Sequence, residues 1–167
     1  MELLLVRHGI AADRDPDRWP RDADRPLTPE GEARFREASR GLSRIHPPVE
    51  VVLSSPYPRA RRTAEILAEE AGWPPPQAAG ELEAERSSSD ALRLLRSRAG
   101  ISSLALVGHE PNLSELASFL LAGNDGGLQL EMKKGGVACL FLRGEPAPGT
   151  AILRWLATPK LLRAMAP

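Results

Sequence analysis

Residues 3–9 read "LLLVRHG": four apolar residues and then, without a spacer, an arginine, a histidine and a glycine. An unbroken apolar run suits a strand covered on both faces, as in a parallel sheet; a half-exposed strand would alternate. Arg7 and His8 then fall at the carboxyl end of that strand, where open α/β sheets leave a crevice for ligands. Two further runs have the same form. Val49 to Leu53 ends in "SSPYPRARRTA", and Leu104 to Val107 ends in "GHEPN". Each polar stretch leads into a helical pattern.

The helix after the first strand is predicted from "LTPEGEARFREASRGL", where Thr28 caps, Pro29 suits the first helical position, and Glu30 and Glu32 favour the positive end of the dipole. Phe35, Ala38, Leu42 and Ile45 are expected on its inner face. A second helix begins near Pro58, buries Ala60, Ala64, Leu67 and Ala71, and ends at Gly72 before "WPPPQ". A third is expected over Asp90 to Ala99. A fourth lies within "EPNLSELASFLLAG", with Leu113, Leu116, Leu120 and Leu121 inward. Strands "GVACLFL" and "AILRWL" and a short terminal helix complete the chain. Alternation of this kind predicts an α/β protein, a three-layer α/β/α domain around a mostly parallel sheet, with residues 1–167 as one domain.

Composition limits the partners. The 22 basic and 22 acidic residues cancel, so no general basic field recommends nucleic acid or an anionic membrane, and any cation pocket must be local. The apolar runs are too short for a signal-peptide core or a membrane span. Cys139 is the single cysteine; it excludes an internal disulfide framework, fits a reducing compartment and reads as a small buried residue. A cytoplasmic protein is expected. Residues 13–25, "DRDPDRWPRDADR", hold five Asp and four Arg and read as solvated loop. His46, in "RIHPP", reads as loop as well.

The other two histidines, His8 and His109, both stand at strand ends, and Arg7, Arg59, Arg61 and Arg62 stand near them in the same crevice. Such a cationic cup asks for an anion with several oxygens, and phosphate is the natural candidate: guanidinium forks and a helix N-terminus both suit its oxygens. A neutral imidazole is a competent nucleophile toward phosphorus and needs no deprotonation. Fixed cations can neutralise the equatorial oxygens without a metal ion. "HEPNLSEL" has Asn112 and Leu113 where a second zinc histidine would be needed, and there is no "GxxxxGK[ST]" loop or dinucleotide fingerprint. No metal and no cofactor are expected.

These motifs in this order resemble the histidine phosphatase superfamily, the phosphoglycerate mutase-like fold. "RPLTPEGEARF" and "MKKGGVACLFL" extend the resemblance to small SixA-type phosphohistidine phosphatases over nearly the whole chain. The resemblance implies that His8 is the nucleophile and that Arg7, Arg59 and His109 form the phosphate pocket. Arg59 holds the arginine place in the family's Ser-Pro-x-x-Arg-Ala-x-x-Thr-Ala pattern, here Ser55 to Ala64, whereas Arg61 and Arg62 fall outside it and read as solvated. Larger members carry a general acid after the second helix; here "GELEAERSSSD" offers Glu83 and Glu81 first, then Glu85 and Asp90, without a distinguishing motif.

A weak acid suits phosphohistidine, whose imidazole leaves more readily than an alkoxide. The interval of about 30 residues between the second helix and the third strand leaves little material for a lid. The expected function is a metal-independent phosphatase acting on phosphohistidine in a protein. Small phosphoesters such as a sugar phosphate or nucleotide, a non-catalytic phosphate-binding module, and a mutase are the rival readings.

Overall fold

In chain order the elements are β1 (Glu2–Arg7), α1 (Pro29–Ile45), β2 (Val51–Ser54), α2 (Pro58–Ala71), β3 (Gln77–Ala78), α3 (Ser88–Arg96), β4 (Ser103–Gly108), α4 (Asn112–Ala122), β5 (Val137–Leu142), β6 (Ala151–Ala157) and α5 (Pro159–Ala164), with 3-10 turns at Asp22–Asp24 and Gly80–Leu82. The structure is a computed structural model that describes residues 1–98 and 100–167. Ala99, the expected end of the third helix, lies outside the described residues.

The six strands form one sheet in the order β3-β2-β4-β1-β5-β6. The first four are mutually parallel; β5 and β6 add to the other side antiparallel. The chain moves outward from β1 to β2 and β3 with α1 and α2 on one face. It returns from β3 to β4 with α3 on the other, as crossovers of a single hand require. Leu4 and Val6 therefore pack with Phe35, Leu42, Ala64 and Leu67, while Leu3 and Leu5 pack with Leu95, Leu116 and Leu120. This is why "LLLV" does not alternate: both of its faces are covered.

The helix signals act as their chemistry suggests. Thr28 Oγ1 accepts from Gly31 N at 2.9 Å, and Gly72 and Gly123 close α2 and α4 with left-handed φ of 68° and 88°. Three features differ from expectation. Ile45 is 40% exposed, and Ser39 and Gly41 join Phe35, Ala38 and Leu42 on the buried face of α1 instead. His46 is a buried residue at the end of α1, where its N–H donates to the Leu42 carbonyl at 3.0 Å. Strand β3 is two residues inside a proline-rich stretch and exists only because β2 offers it an edge. No described helix is long and apolar enough to cross a membrane.

Two glycines let α1 approach its neighbours by backbone contact. A Cβ at Gly31 would lie 2.2 Å from the Ile10 carbonyl oxygen, and one at Gly41 would lie 1.7 Å from that of Leu162 on α5. Because the obstructing atoms are backbone, a methyl group forces the elements apart rather than a side chain aside. Gly41→Ala is expected to lower stability by about 1–3 kcal/mol, read as a lower urea midpoint with an unchanged slope. An unaltered midpoint would show that α5 does not sit this close.

Candidate active site

Strand β1 pairs with β4 so that Arg7 stands opposite Gly108, and the ladder runs one step further: His8 N donates to the Gly108 carbonyl at 3.0 Å. His8 and His109 thus leave adjacent parallel strands side by side, with ring centroids 5.2 Å apart. On the far side of β4, Ser55 N donates to the Val107 carbonyl at 2.9 Å, which brings the start of α2 and Arg59 to the same rim. The "MKKGG" loop closes the opposite flank, with Gly135 N donating to the carbonyls of Arg7 and His8. Gly135 has φ 79° and faces the Phe35 ring, so the turn needs a residue without a side chain.

His8 is 7% exposed and its Nδ1 lies 2.7 Å from the Gly9 carbonyl. A carbonyl only accepts, so Nδ1 holds the proton and Nε2 keeps a free lone pair. Thr63 supports this turn by accepting from Gly9 N at 3.0 Å and donating to the Arg59 carbonyl at 2.7 Å. Burial pushes the His8 imidazole down to about 3; the Gly9 contact works upward, and Arg59, Arg7 and Lys134 add to the fall. His109 is likewise pushed down to about 3 by burial, then by His8 and Arg59. Its Nε2 is 2.8 Å from Ser55 Oγ. Tyr57 N donates to that oxygen at 3.4 Å, and the hydroxyl still has a proton to give and a second lone pair to accept with, so Ser55 holds the His109 ring in either tautomer.

The arginines are anchored at their tips. Arg7 Nη1 donates to the Met132 carbonyl at 2.6 Å; Arg59 Nη1 and Nη2 donate to the Asp22 carbonyl at 2.7 Å and its carboxylate at 3.1 Å. Arg7 Nε, Arg59 Nε and His109 Nδ1 are all buried without a protein partner. Two guanidinium nitrogens and an imidazole nitrogen without protein partners, on residues that neighbour His8, suit an anion with several acceptor oxygens.

The structure brings Arg7, His8, Arg59 and His109 together, while the two carboxylates expected as acids separate. Glu81 is exposed, in a hollow with Arg86, Asp90 and Arg93. Glu83 follows the Gly80–Leu82 turn, whose Leu82 carbonyl packs beside Gly108, and its ionic contact is with Arg86 at 3.8 Å. Neither hydrogen-bonds His8 or His109 among the described residues. Arg61 is exposed, as expected, but Arg62 is half-buried between Glu32, Glu65 and Glu69.

Several participants were not singled out from sequence. Asp22 belongs to the segment read as solvated loop, and only the approach of that loop to α2 gives it a partner. Ser55 and Thr63 stand inside the quoted motif but make their contacts through the fold. Tyr57, 5.0 Å from the His109 ring, donates its hydroxyl to Glu85. Glu110 is a half-buried carboxyl, shifted upward by burial despite its Ser114 and Arg7 contacts.

Because both histidines sit well below the ordinary value of 6.5, their ring NMR signals are expected to stay neutral from pH 8 down to 5. A titration near 6.5 would contradict the buried pair. The sign for stability follows from the unfolded chain binding more protons between about 6.5 and 3: stability falls as pH drops through that window.

Comparison with known proteins gives the family and the fold. The model of the histidine phosphatase superfamily (branch 1) matches residues 3–87. An uncharacterized protein of Picosynechococcus sp. is 42% identical over 140 residues, 82% of each chain. The protein histidine phosphatase SixA complexed with tungstate superposes with a TM-score of 0.83 at 24% identity, over 96% of this chain and 98% of that one. A Nakamurella multipartitia protein designated SixA gives 0.75 at 25% identity, over 95% of both chains. With the family's motifs on its strand ends and its α/β/α sheet beneath them, this chain belongs to the histidine phosphatase superfamily.

Proposed function

We propose that this chain, as one domain over residues 1–167, is a cytoplasmic, metal-independent phosphatase that passes the phosphoryl group through His8 and takes it from phosphohistidine in a protein. The observation that carries the reading is that Arg7 Nε, Arg59 Nε and His109 Nδ1 are buried and unpartnered on the residues that neighbour His8, an imidazole that burial keeps neutral.

In the reaction His8 Nε2 attacks phosphorus in line. The new N–P bond forms as the bond to the leaving group breaks, and His8 becomes a cationic phosphoimidazole whose Nδ1–H is held by the Gly9 carbonyl. Arg7, Arg59 and His109 donate to the phosphoryl oxygens where negative charge accumulates. Water then attacks phosphorus from the opposite side, inorganic phosphate leaves, and neutral His8 is restored. An imidazole leaving group needs little protonation, which suits a site where Glu83 is a neighbour rather than a hydrogen-bonded acid and Glu81 points to another hollow.

A second feature supports a protein substrate. Beside Gly9 lies a hollow of about 220 Å³ lined by Arg34, Lys133, Lys134, Lys160 and Arg163. Lys133, Arg34 and Arg163 pair with Glu131, Glu30 and Glu37, while Lys134 and Lys160 have no carboxylate in ion-pair reach among the described residues. A partner with acidic groups around its phosphohistidine would meet this surface, which a small ester does not reach.

Incubation with a labelled phosphohistidine protein, followed by rapid quenching, is expected to trap acid-labile, base-stable phosphate on the wild-type chain and none on His8→Ala. Arg59→Ala should lower kcat/KM about 100- to 1,000-fold. A fully active His8→Ala chain would overturn the mechanism, and a strong preference for one small ester would overturn the substrate. Separately, Lys160→Glu is expected to lower kcat/KM several-fold on the protein substrate, with p-nitrophenyl phosphate hydrolysis unchanged. Equal losses on both would remove the docking role of the hollow.

A further inference from the structure

His46 lies at the foot of the sheet, at the opposite end of β1 from His8; six strand residues put about 20 Å between the two levels. Its Nδ1 is 2.6 Å from the Pro47 carbonyl, so that nitrogen carries the proton and Nε2 carries the lone pair. Nε2 is buried and has no hydrogen-bond partner, although the residue is only 6% exposed. Around it are two groups that cannot satisfy it in their ordinary states. The Glu2 carboxylate, 3.7 Å away, is an acceptor. Cys139, buried on β5, holds its Sγ within 4.8 Å of both other donor atoms but outside hydrogen-bonding geometry. A lone pair, a carboxylate and a thiol facing one point, with the imidazole's other nitrogen fixed on a backbone carbonyl, is the pattern by which proteins orient a metal-binding histidine.

We propose that Glu2, His46 and Cys139 form a zinc-class divalent-cation site that ties the start of β1, the end of α1 and the middle of β5. The donor set decides the class of ion. One thiolate, one imidazole and one carboxylate suit zinc and its cobalt surrogate, whereas magnesium and calcium require oxygen. Charge agrees: a thiolate and a carboxylate neutralise a dication, so the bound site is uncharged within a mostly buried setting. Tetrahedral zinc with these ligands spaces its donor atoms roughly 3.3–3.5 Å apart. With Glu2 and His46 already 3.7 Å apart and all three atoms within 4.8 Å, binding asks for a closure of about 1 Å toward Cys139 Sγ. On binding, the thiol proton leaves to solvent and water completes the fourth position on the Glu2 side. The site is structural and separate from phosphoryl transfer, since it shares no residue with the rim.

The test uses the full chain, reduced and stripped with a chelator, then titrated with Co²⁺. The expected result is saturation at one equivalent with a near-ultraviolet thiolate-to-cobalt band. Tryptophan quenching should accompany it, because the Trp73 and Trp155 rings lie 6.4 and 6.3 Å from His46. Zn²⁺ should displace the cobalt and raise the thermal midpoint. Cys139→Ser should abolish the band, and Glu2→Gln and His46→Gln should each weaken uptake at least about tenfold, while His8→Ala binds as wild type does. Glu2→Gln alters a partly exposed side chain and keeps the test decisive if a core variant misfolds. Absence of saturable uptake, uptake indifferent to Glu2→Gln, or uptake lost in His8→Ala would each overturn the site.

Discussion

The parallel pairing of β1 with β4 is the constraint on which the rest of the molecule depends. One register, Arg7 opposite Gly108 and His8 N on the Gly108 carbonyl, converts two residues 101 positions apart in the chain into neighbouring rings. A slip by one residue would turn every strand side chain to the other face. It would place Leu3 and Leu5 where Leu4 and Val6 now meet α1 and α2, and it would separate the histidines. Such a slip has no apolar reason to be rejected when both faces of β1 are buried, so register must be enforced elsewhere. It is enforced at the strand ends, where the Gly135 and Gly136 turn binds the backbone of Arg7 and His8, and Gly31 lies close against the Ile10 carbonyl.

Burial then sets the chemistry. The same enclosure that excludes water from His8 and His109 pushes both imidazoles to about 3, whereas a guanidinium stays cationic in proteins. Desolvation therefore sorts four basic side chains into two cations and two neutral rings. In the proposed reaction a protonated His8 would have no lone pair for phosphorus, and a neutral arginine would have no charge for its oxygens. Neither outcome needs a special residue; it follows from placing these four at one water-poor rim.

The parts that could be read in the sequence are those whose signals are local. Thr28-Pro29, Gly72 and Gly123 mark helix ends by hydrogen-bond geometry and φ, and the strand runs announce themselves by apolar continuity. Arg7, His8 and His109 became visible because fold rules put strand ends together, whereas Arg59 was told from Arg61 and Arg62 by its place in the family pattern. What remained hidden depends on approach across space. Asp22 has no feature distinguishing it from the four other Asp of its segment until the loop folds over α2. Ile45 kept the helical period but lies at the last turn, beyond the edge of the sheet that covers Phe35 and Leu42. His46 looked like loop because prolines follow it, yet the closure of α1 draws it inward against Trp73 and Trp155.

Asp22 also bears on how the rim releases what it holds. On the proposed reading, the Asp22 carboxylate, shared among Arg14, Arg25 and Arg59, offsets part of the positive charge that would face a phosphoryl group. Partial burial works to raise the Asp22 carboxyl, but Arg25, Arg59 and Arg14 together hold it below its usual range, so it stays charged. A further uncompensated cation would bind product phosphate more tightly as well as the transition state, and uniform tightening does not accelerate turnover. Tethering Arg59 by its two terminal nitrogens leaves Nε without a protein partner and fixes the plane of the guanidinium. In the proposed transfer the gain is therefore in orientation rather than in raw attraction, which would favour in-line geometry over retention of the product.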